Sequence, residues 1–315
     1  MANAQRIVIT GAGGHVGGRL FKHFLTTAHR HIQPHFRTAP VMPGWASSYN
    51  PTLGDLREAS TRRQILTNAD VVVHLATRGY SSSQQPSQLE LEEEYSTTAS
   101  LIQESIALGV TQFIFCSSIH VLGNALRGEV TEETIPLPSS EYGRFKLRLE
   151  MELHERCNTA EMDAIVLRLA NTFGVPAFPK AATWDLLIHD LCRQAVNLGH
   201  IQLNSNGSGY RNIMALGDAA DAIAQVATNS IPSGTYLVVG PRTYQVNDIA
   251  ELVRTRAERV LQKALTVKRN HSDTTVHQSF ELHPESLNAL GIAMNNTLVE
   301  EIDELLRTAQ SEFAK

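Results

Sequence analysis

The sequence predicts an α/β fold: a doubly wound parallel sheet with a smaller C-terminal lobe. Three observations predict it. A short apolar, β-branched run, Arg6–Thr10, enters the glycine cluster Gly11-Ala12-Gly13-Gly14-His15-Val16-Gly17. From residue 6 to about 118, apolar strands then alternate with amphipathic helices, which implies parallel strands joined by crossover helices on both faces. After about residue 175 that rhythm changes. Loops carry Pro176, Pro179, Gly207, Gly209, Pro232 and Pro241, and the helices shorten. The division predicted is 1–175 for the first domain and 176–315 for a lobe with segments returning to the core.

Element by element, Leu20, Phe21, Phe24 and Leu25 recur at helical spacing after the glycines. The second strand, in 31–37, contains Pro34, which cannot donate to a ladder, so it is expected to start late or to be distorted. Val71–Leu75 is a strand candidate within the run Asp70–Ala76, a buried-strand run that ends in small residues, and 81–88 reads as a polar loop. Glu90–Leu108 is a long helix whose acidic beginning reads as a solvated face. Val110–Cys116 is the next buried strand, 126–140 a surface loop, Glu141–Arg156 a helix and Asp163–Leu169 a strand. The run 171–176 reads as a turn, Asp218 as a helix N-cap and 295–313 as a closing amphipathic helix.

The composition narrows the function classes. The 315 residues are 42% hydrophobic and 19% charged with net charge −5, an ordinary globular composition. No basic run or aromatic-basic stripe supports nucleic-acid binding. Cys116, Cys157 and Cys192 are too widely spaced for a disulfide framework or a metal cluster, so a reducing cytosol is the expected compartment and no metal is expected. No apolar run approaches the ~18 residues of a membrane span. The N-terminus runs directly into the first strand, so no signal peptide is expected.

The glycine turn fits a place where backbone closely approaches a phosphate. Gly11 can take φ values that other residues avoid. Gly14 would let a pyrophosphate reach the helix N-terminus, where free N–H groups and the positive dipole end favour an anion. Gly17 lets helix and strand pack closely. Strand, glycine turn and helix in that order form the dinucleotide fingerprint; a sharp βα turn without ligand is the alternative.

A second constellation lies downstream. Tyr142 and Lys146 stand four apart on a helix and share one face. Ser118 ends a strand about two dozen residues earlier. Together they suit acid–base work on an alcohol or ketone. Tyrosine, with a reference pKa of about 10, is too weak alone, and a nearby ammonium is expected to lower it.

These residues resemble the extended short-chain dehydrogenase/reductases, the NAD(P)-dependent epimerases, dehydratases and reductases of nucleotide sugars, over most of the chain. The resemblance implies a Rossmann-type fold. It places Gly11, Gly13, Gly14, His15, Val16 and Gly17 at the cofactor turn, Asp55 and Leu56 at the adenine, and Leu75 and Ala76 beside the nicotinamide ribose. Ser118, Tyr142 and Lys146 fall on the catalytic positions, and Tyr142 and Lys146 also face the cofactor. Asn171 would face the bound sugar nucleotide and Arg211 would grip its diphosphate.

Departures shape the expectation. The second strand ends His35-Phe36-Arg37 without the usual acid, and Arg37 could meet a 2′-phosphate, so NADP is slightly favoured over NAD. Glu94 stands near a slot commonly held by asparagine. Ser118 precedes Ile119 and His120 rather than an Asp-Glu pair, which argues against a dehydratase; His120 is a candidate substrate contact. The expected function is hydride transfer to or from a carbonyl or hydroxyl carbon, in a ketoreductase or dehydrogenase. An epimerase using transient oxidation is the alternative, and a non-catalytic dinucleotide binder the second. The resemblance also implies a homodimer through the helices near 95–109 and 142–157.

Overall fold

The computed structural model describes residues 5–27, 31–77, 87–181 and 184–313. In chain order the first part is β1 (Ile7–Thr10), α1 (His15–Thr26), β2 (Ile32–Phe36), β3 (Thr52–Leu53), α2 (Ala59–Leu66), β4 (Val71–His74), α3 (Gln88–Ala107), β5 (Gln112–Ser118), β6 (Gly128–Val130), α4 (Glu141–Cys157), β7 (Asp163–Leu169) and β8 (Asn171–Phe173). There follow α5 (Leu187–Leu198), β9 (Ile201–Gln202), β10 (Tyr210–Ala215), α6 (Leu216–Thr228), β11 (Gly234–Val238), β12 (Thr243–Gln245) and α7 (Val246–Leu261). The chain ends with β13 (Val267–Lys268), β14 (Phe280–Leu282), α8 (Glu285–Ala289) and α9 (Leu298–Phe313).

Seven parallel strands form one sheet in the order β11-β7-β5-β4-β1-β2-β3. The order reverses at β1, so the expected doubly wound topology is the observed one and a ligand crevice opens at the C-terminal ends of β1 and β4. Alternate residues of each strand serve opposite faces. Ile7, Ile9, Val71, Val73, Ile114 and Ile165 pack under α1 and α6. Val8, Val72, Phe113, Phe115 and Val166 pack under α2, α3 and α4. Burial on both faces explains the near-continuous apolar runs.

Pro34 does not delay β2, which pairs with β1 from Ile32 onward. Pairing with β3 begins only at His35↔Thr52, so the missing Pro34 donor falls before that ladder. The loop predicted at 81–88 lies outside the described residues up to 86; Gln88 already belongs to α3, capped by a Ser87–Glu90 capping box.

Three readings of the later chain are corrected. Within 126–140, residues Gly128–Val130 form β6 against β14. The run 171–176 begins with β8, not a turn, because Asn171–Phe173 pair with Ile213–Ala215 of β10. Asp218 is not an N-cap: that position is Ala215, and Asp218 accepts bonds from Thr297 N–H at 2.9 Å and Thr297 Oγ1 at 2.7 Å, tying the entry of α9 to α6. A separate core of α5, α7 and α9, including Leu191, Ile249 and Leu306, lies beside the sheet. Arg19 of α1 joins it to the sheet through Glu301 at 2.8 Å.

Candidate active site

At the end of β1, Gly11 has φ +73°, and a Cβ there would lie 2.8 Å from Ala76 N. A Cβ on Gly17 would lie 2.2 Å from Gly11 O. These two positions therefore require glycine. Gly14 is the N-cap of α1 without a side-chain cap, and its N–H is bonded to Gly11 O at 2.9 Å. The N–H groups of the helix's first turn point out with no intrahelical acceptor.

The loop floors a cleft of about 750 Å³. Of the predicted cofactor residues, Gly11, Gly13, Gly14, Arg37, Asp55, Leu56, Leu75 and Ala76 line it. His15, Val16 and Gly17 do not. The His15 ring packs 5.5 Å from His189 of α5, and both its nitrogens are buried without a hydrogen-bond partner. Burial and the neighbouring His189 lower its pKa to about 3. Asp55 is held by Arg57, whose Nη2 lies 2.7 Å from Oδ2, and this bond lowers the carboxyl pKa to about 2. Arg57 also reaches Glu93 at 3.1 Å, bridging the cleft mouth to α3.

The acidic start of α3 is not simply a solvated face. Glu90, Glu93, Glu94, Thr97 and Thr98 all line the cleft. Their spacing of three and four puts them on one helical face, a periodicity visible in the sequence but hidden there by the abundance of charge. Thr77 is a second residue the sequence reading missed. Behind the wall, His74 is buried between Thr10 Oγ1 at 2.8 Å and Thr98 Oγ1 at 3.2 Å, and burial lowers its pKa to about 3.

Ser118, Tyr142 and Lys146 meet beside the cleft. Ser118 ends β5, where its Oγ accepts the His120 N–H at 3.3 Å and bonds with the Tyr142 hydroxyl. Lys146 Nζ donates to Thr77 Oγ1 at 2.5 Å and to the Cys116 carbonyl at 3.1 Å. Burial lowers the Lys146 pKa to about 8, opposed by Glu94. The tyrosine departs from expectation: its pKa is raised to about 12, by burial first and the Glu94 charge last, with Ser118 opposing. Burial dominates, although the Lys146 ammonium, which donates to Thr77 and Cys116, lies 5.7 Å from the Tyr142 ring centroid.

On the other side of Tyr142 the predicted substrate residues gather. The exposed His120 packs edge-on against Tyr142 at 5.9 Å. Its side chain bonds Asn171 of β8, and partial desolvation followed by the Arg211 charge lowers its pKa. Asn171 Nδ2 donates to the Asn212 carbonyl at 3.0 Å, and Arg211 Nη1 to the Tyr210 carbonyl at 2.7 Å.

The match to the NAD dependent epimerase/dehydratase family model spans residues 7–240. The chain belongs to that family. A D-erythronate dehydrogenase of Haemophilus influenzae is 27% identical over 184 residues, 56% of this chain and 58% of the relative. A UDP-glucose 4-epimerase of Vibrio cholerae is 28% identical over 54% of this chain and 52% of its own. The chain thus spans about half the length of these curated relatives. A dTDP-glucose 4,6-dehydratase of Streptomyces antibioticus is 23% identical over 79% of this chain and 76% of its own.

Solved structures share the fold. A UDP-N-acetylglucosamine 4-epimerase from Methanobrevibacter ruminantium M1 matches with TM-score 0.78 at 19% identity, covering 98% of this chain and 99% of that one. A UDP-glucuronic acid 4-epimerase from Bacillus cereus, in complex with NAD, matches with TM-score 0.75 at 18% identity, covering 98% and 97%. The family's dinucleotide fits this chain: Gly11 and Gly17 leave no room for side chains, and the cleft opens at the N-terminus of α1.

Proposed function

We propose that the protein is an NAD(P)-dependent oxidoreductase acting at a carbonyl or hydroxyl carbon of a nucleotide sugar. The observation that carries this reading is the meeting of Ser118, Tyr142 and Lys146 where Thr77 joins them to the glycine-floored cleft. A bound nicotinamide dinucleotide would supply the hydride donor or acceptor. Tyr142 is protonated at neutral pH, as a proton donor to a carbonyl oxygen must be, although burial makes it a weaker acid than a free tyrosine. Ser118 Oγ orients that oxygen, and Lys146 holds the cofactor ribose. Asn171 and Arg211 contact the sugar and its diphosphate, with His120 between them and Tyr142. The core of α5, α7 and α9 carries the substrate lobe.

Tyr142→Phe tests the assignment. Turnover with a panel of UDP-, GDP-, CDP- and dTDP-sugars should fall by about 10²–10⁴. The thermal shift given by the cofactor should persist. Unchanged turnover removes Tyr142 from the acid–base role. The similarity to a UDP-glucose 4-epimerase favours the epimerase as second reading, distinguished by sugar inversion with no net change of cofactor. Cofactor binding without turnover on any substrate would leave the non-catalytic reading.

Arg37 in the cleft, with no acid at that strand end, supports NADP slightly over NAD. A larger thermal shift with NADP⁺, lost in Arg37→Ala, is the expected result; an equal shift with NAD⁺ refutes the preference. A homodimer through α3 and α4 follows from the family resemblance and gives the exposed Met151 of α4 a partner surface, and a monomer in light scattering would refute it. The three free, buried cysteines suit a cytoplasmic location, which cell fractionation tests.

A further inference from the structure

We propose that His120 is a second acid–base group of the site, exchanging the proton on the carbon next to the carbonyl that Tyr142 serves. The inference rests on the reading of the substrate and of Tyr142 given above, and adds an activity to it. β5 ends at Ser118 and passes directly into a single tight turn, Ile119–Leu122. Ile119, Val121 and Leu122 are buried and anchor that turn in the core, while His120 alone of the four is exposed. The His120 N–H donates to Ser118 Oγ at 3.3 Å, and its carbonyl accepts the Gly123 N–H at 3.2 Å, which fixes the backbone beneath the ring. α4 packs on the turn where Gly143 leaves room, since a Cβ there would lie 2.5 Å from the His120 carbonyl oxygen. That close approach sets Tyr142 edge-on against the His120 ring, with centroids 5.9 Å apart.

Two groups that move protons thus stand side by side at the end of β5, a phenol and an imidazole. A neutral imidazole carries one donor and one acceptor nitrogen, so it can take a proton. Partial desolvation and the Arg211 charge keep the ring in that neutral form at pH 7. A ketone held by Ser118 and Tyr142 acidifies the hydrogens on its neighbouring carbons. As Tyr142 gives its proton to the carbonyl oxygen, the neighbouring C–H bond breaks. Its electron pair forms the carbon–carbon double bond of an enol, and its proton passes to His120. Reversal returns the proton to carbon and the enol proton to Tyr142, so no oxidant or reductant is consumed. The ligand class is a keto sugar nucleotide with a hydrogen on the carbon beside its carbonyl. Between two hydride transfers, the same step would open the neighbouring carbon to inversion.

The probes are dTDP- and UDP-4-keto-6-deoxyglucose in deuterated water, with oxidised NAD or NADP present so that the ketone is not reduced. Proton NMR follows deuterium entering the carbons on either side of the carbonyl. A parallel assay with reduced cofactor measures reduction of the same ketone. Wild type should exchange one of these protons faster than the spontaneous rate. His120→Gln, which keeps a hydrogen-bonding side chain but no base, should lower exchange about 10²-fold or more relative to reduction. Tyr142→Phe should lower exchange and reduction together. Equal losses of exchange and reduction in His120→Gln would make His120 a positioning residue and overturn the proposal. Reduction by wild type without exchange above the spontaneous rate overturns it too, and leaves the oxidoreductase reading standing. If wild type does neither with both probes, the keto-sugar reading fails and this inference falls with it.

Discussion

Arg168 Nη2 donates to Glu150 Oε2 at 2.8 Å, and Ser117 Oγ donates to Glu150 Oε1 at 2.5 Å, all three side chains being buried. This network ties α4 to the ends of β5 and β7. Glu150 lies one turn after Lys146, so it fixes the helix that presents both Lys146 and Tyr142. Glu150→Ala leaves the Arg168 charge buried without its carboxylate. It should cost about 3–5 kcal/mol in urea unfolding. The paired change Glu150→Leu with Arg168→Met should cost less, since no charge is stranded. An equal loss in the single and paired variants would contradict this account.

The glycine loop gives a graded prediction. A Cβ at position 17 would meet the Gly11 carbonyl oxygen at 2.2 Å, whereas one at position 14 would meet the same atom at 3.2 Å. Neither contact can be relieved by turning a side chain, because the obstacle is backbone. Gly17→Ala should therefore lower the melting temperature and weaken ADP binding at least tenfold, while Gly14→Ala causes a smaller loss of both. Calorimetry on the two variants checks the order; the reverse order would contradict it.

What could be read from the chain was what its local pattern determines. β1, the glycine turn and α1 are contiguous, and so are Tyr142 and Lys146 on α4. β8 was misread because its partner strand β10 lies some 40 residues away and Gly174 and Pro176 follow immediately. β6 was hidden for the same reason, its partner β14 being about 150 residues distant. That Glu90, Glu93 and Glu94 line the cleft was hidden because an acidic run does not reveal which of its faces meets a cleft. The Tyr142 shift was predicted with the wrong sign. Spacing placed the lysine near it, but only the assembled fold shows that Thr77 and Cys116 hold the ammonium and that burial dominates.

His15 predicts the acid response. Its folded pKa is about 3 against an ordinary 6.5, so between these values the unfolded chain binds a proton that the native state refuses. Stability is fully present above pH 6.5 and falls as the pH drops, by about 1.4 kcal/mol per unit for one such histidine. His74 adds a similar slope. His15→Phe removes one share and also two buried nitrogens without partners. The variant should gain about 1 kcal/mol at pH 7 and show a shallower loss toward pH 5 in denaturant titrations. An unchanged slope would mean that the His15 ring is hydrated in the native protein.

Lys146 predicts the opposite end of the pH range. Its native pKa is about 8 and its ordinary value 10.5. Below pH 8 both native and unfolded chains carry the proton, and the cost of burying the ammonium is fully present. As the pH rises from 8 toward 10.5, the native state releases its proton first while the unfolded chain keeps it. Stability therefore rises with pH in this window, by about 2 kcal/mol between pH 8 and 9.5. Tyr142, raised to about 12, opposes it only above pH 10, where the unfolded phenol ionises first. Lys146→Met has no ammonium to release, so its unfolding free energy should lack this rise. Urea titrations of the two proteins at pH 8 and 9.5 decide the matter. Parallel behaviour would show that the ammonium keeps its ordinary affinity for the proton, and that the contacts to Thr77 and Cys116 compensate its burial in full.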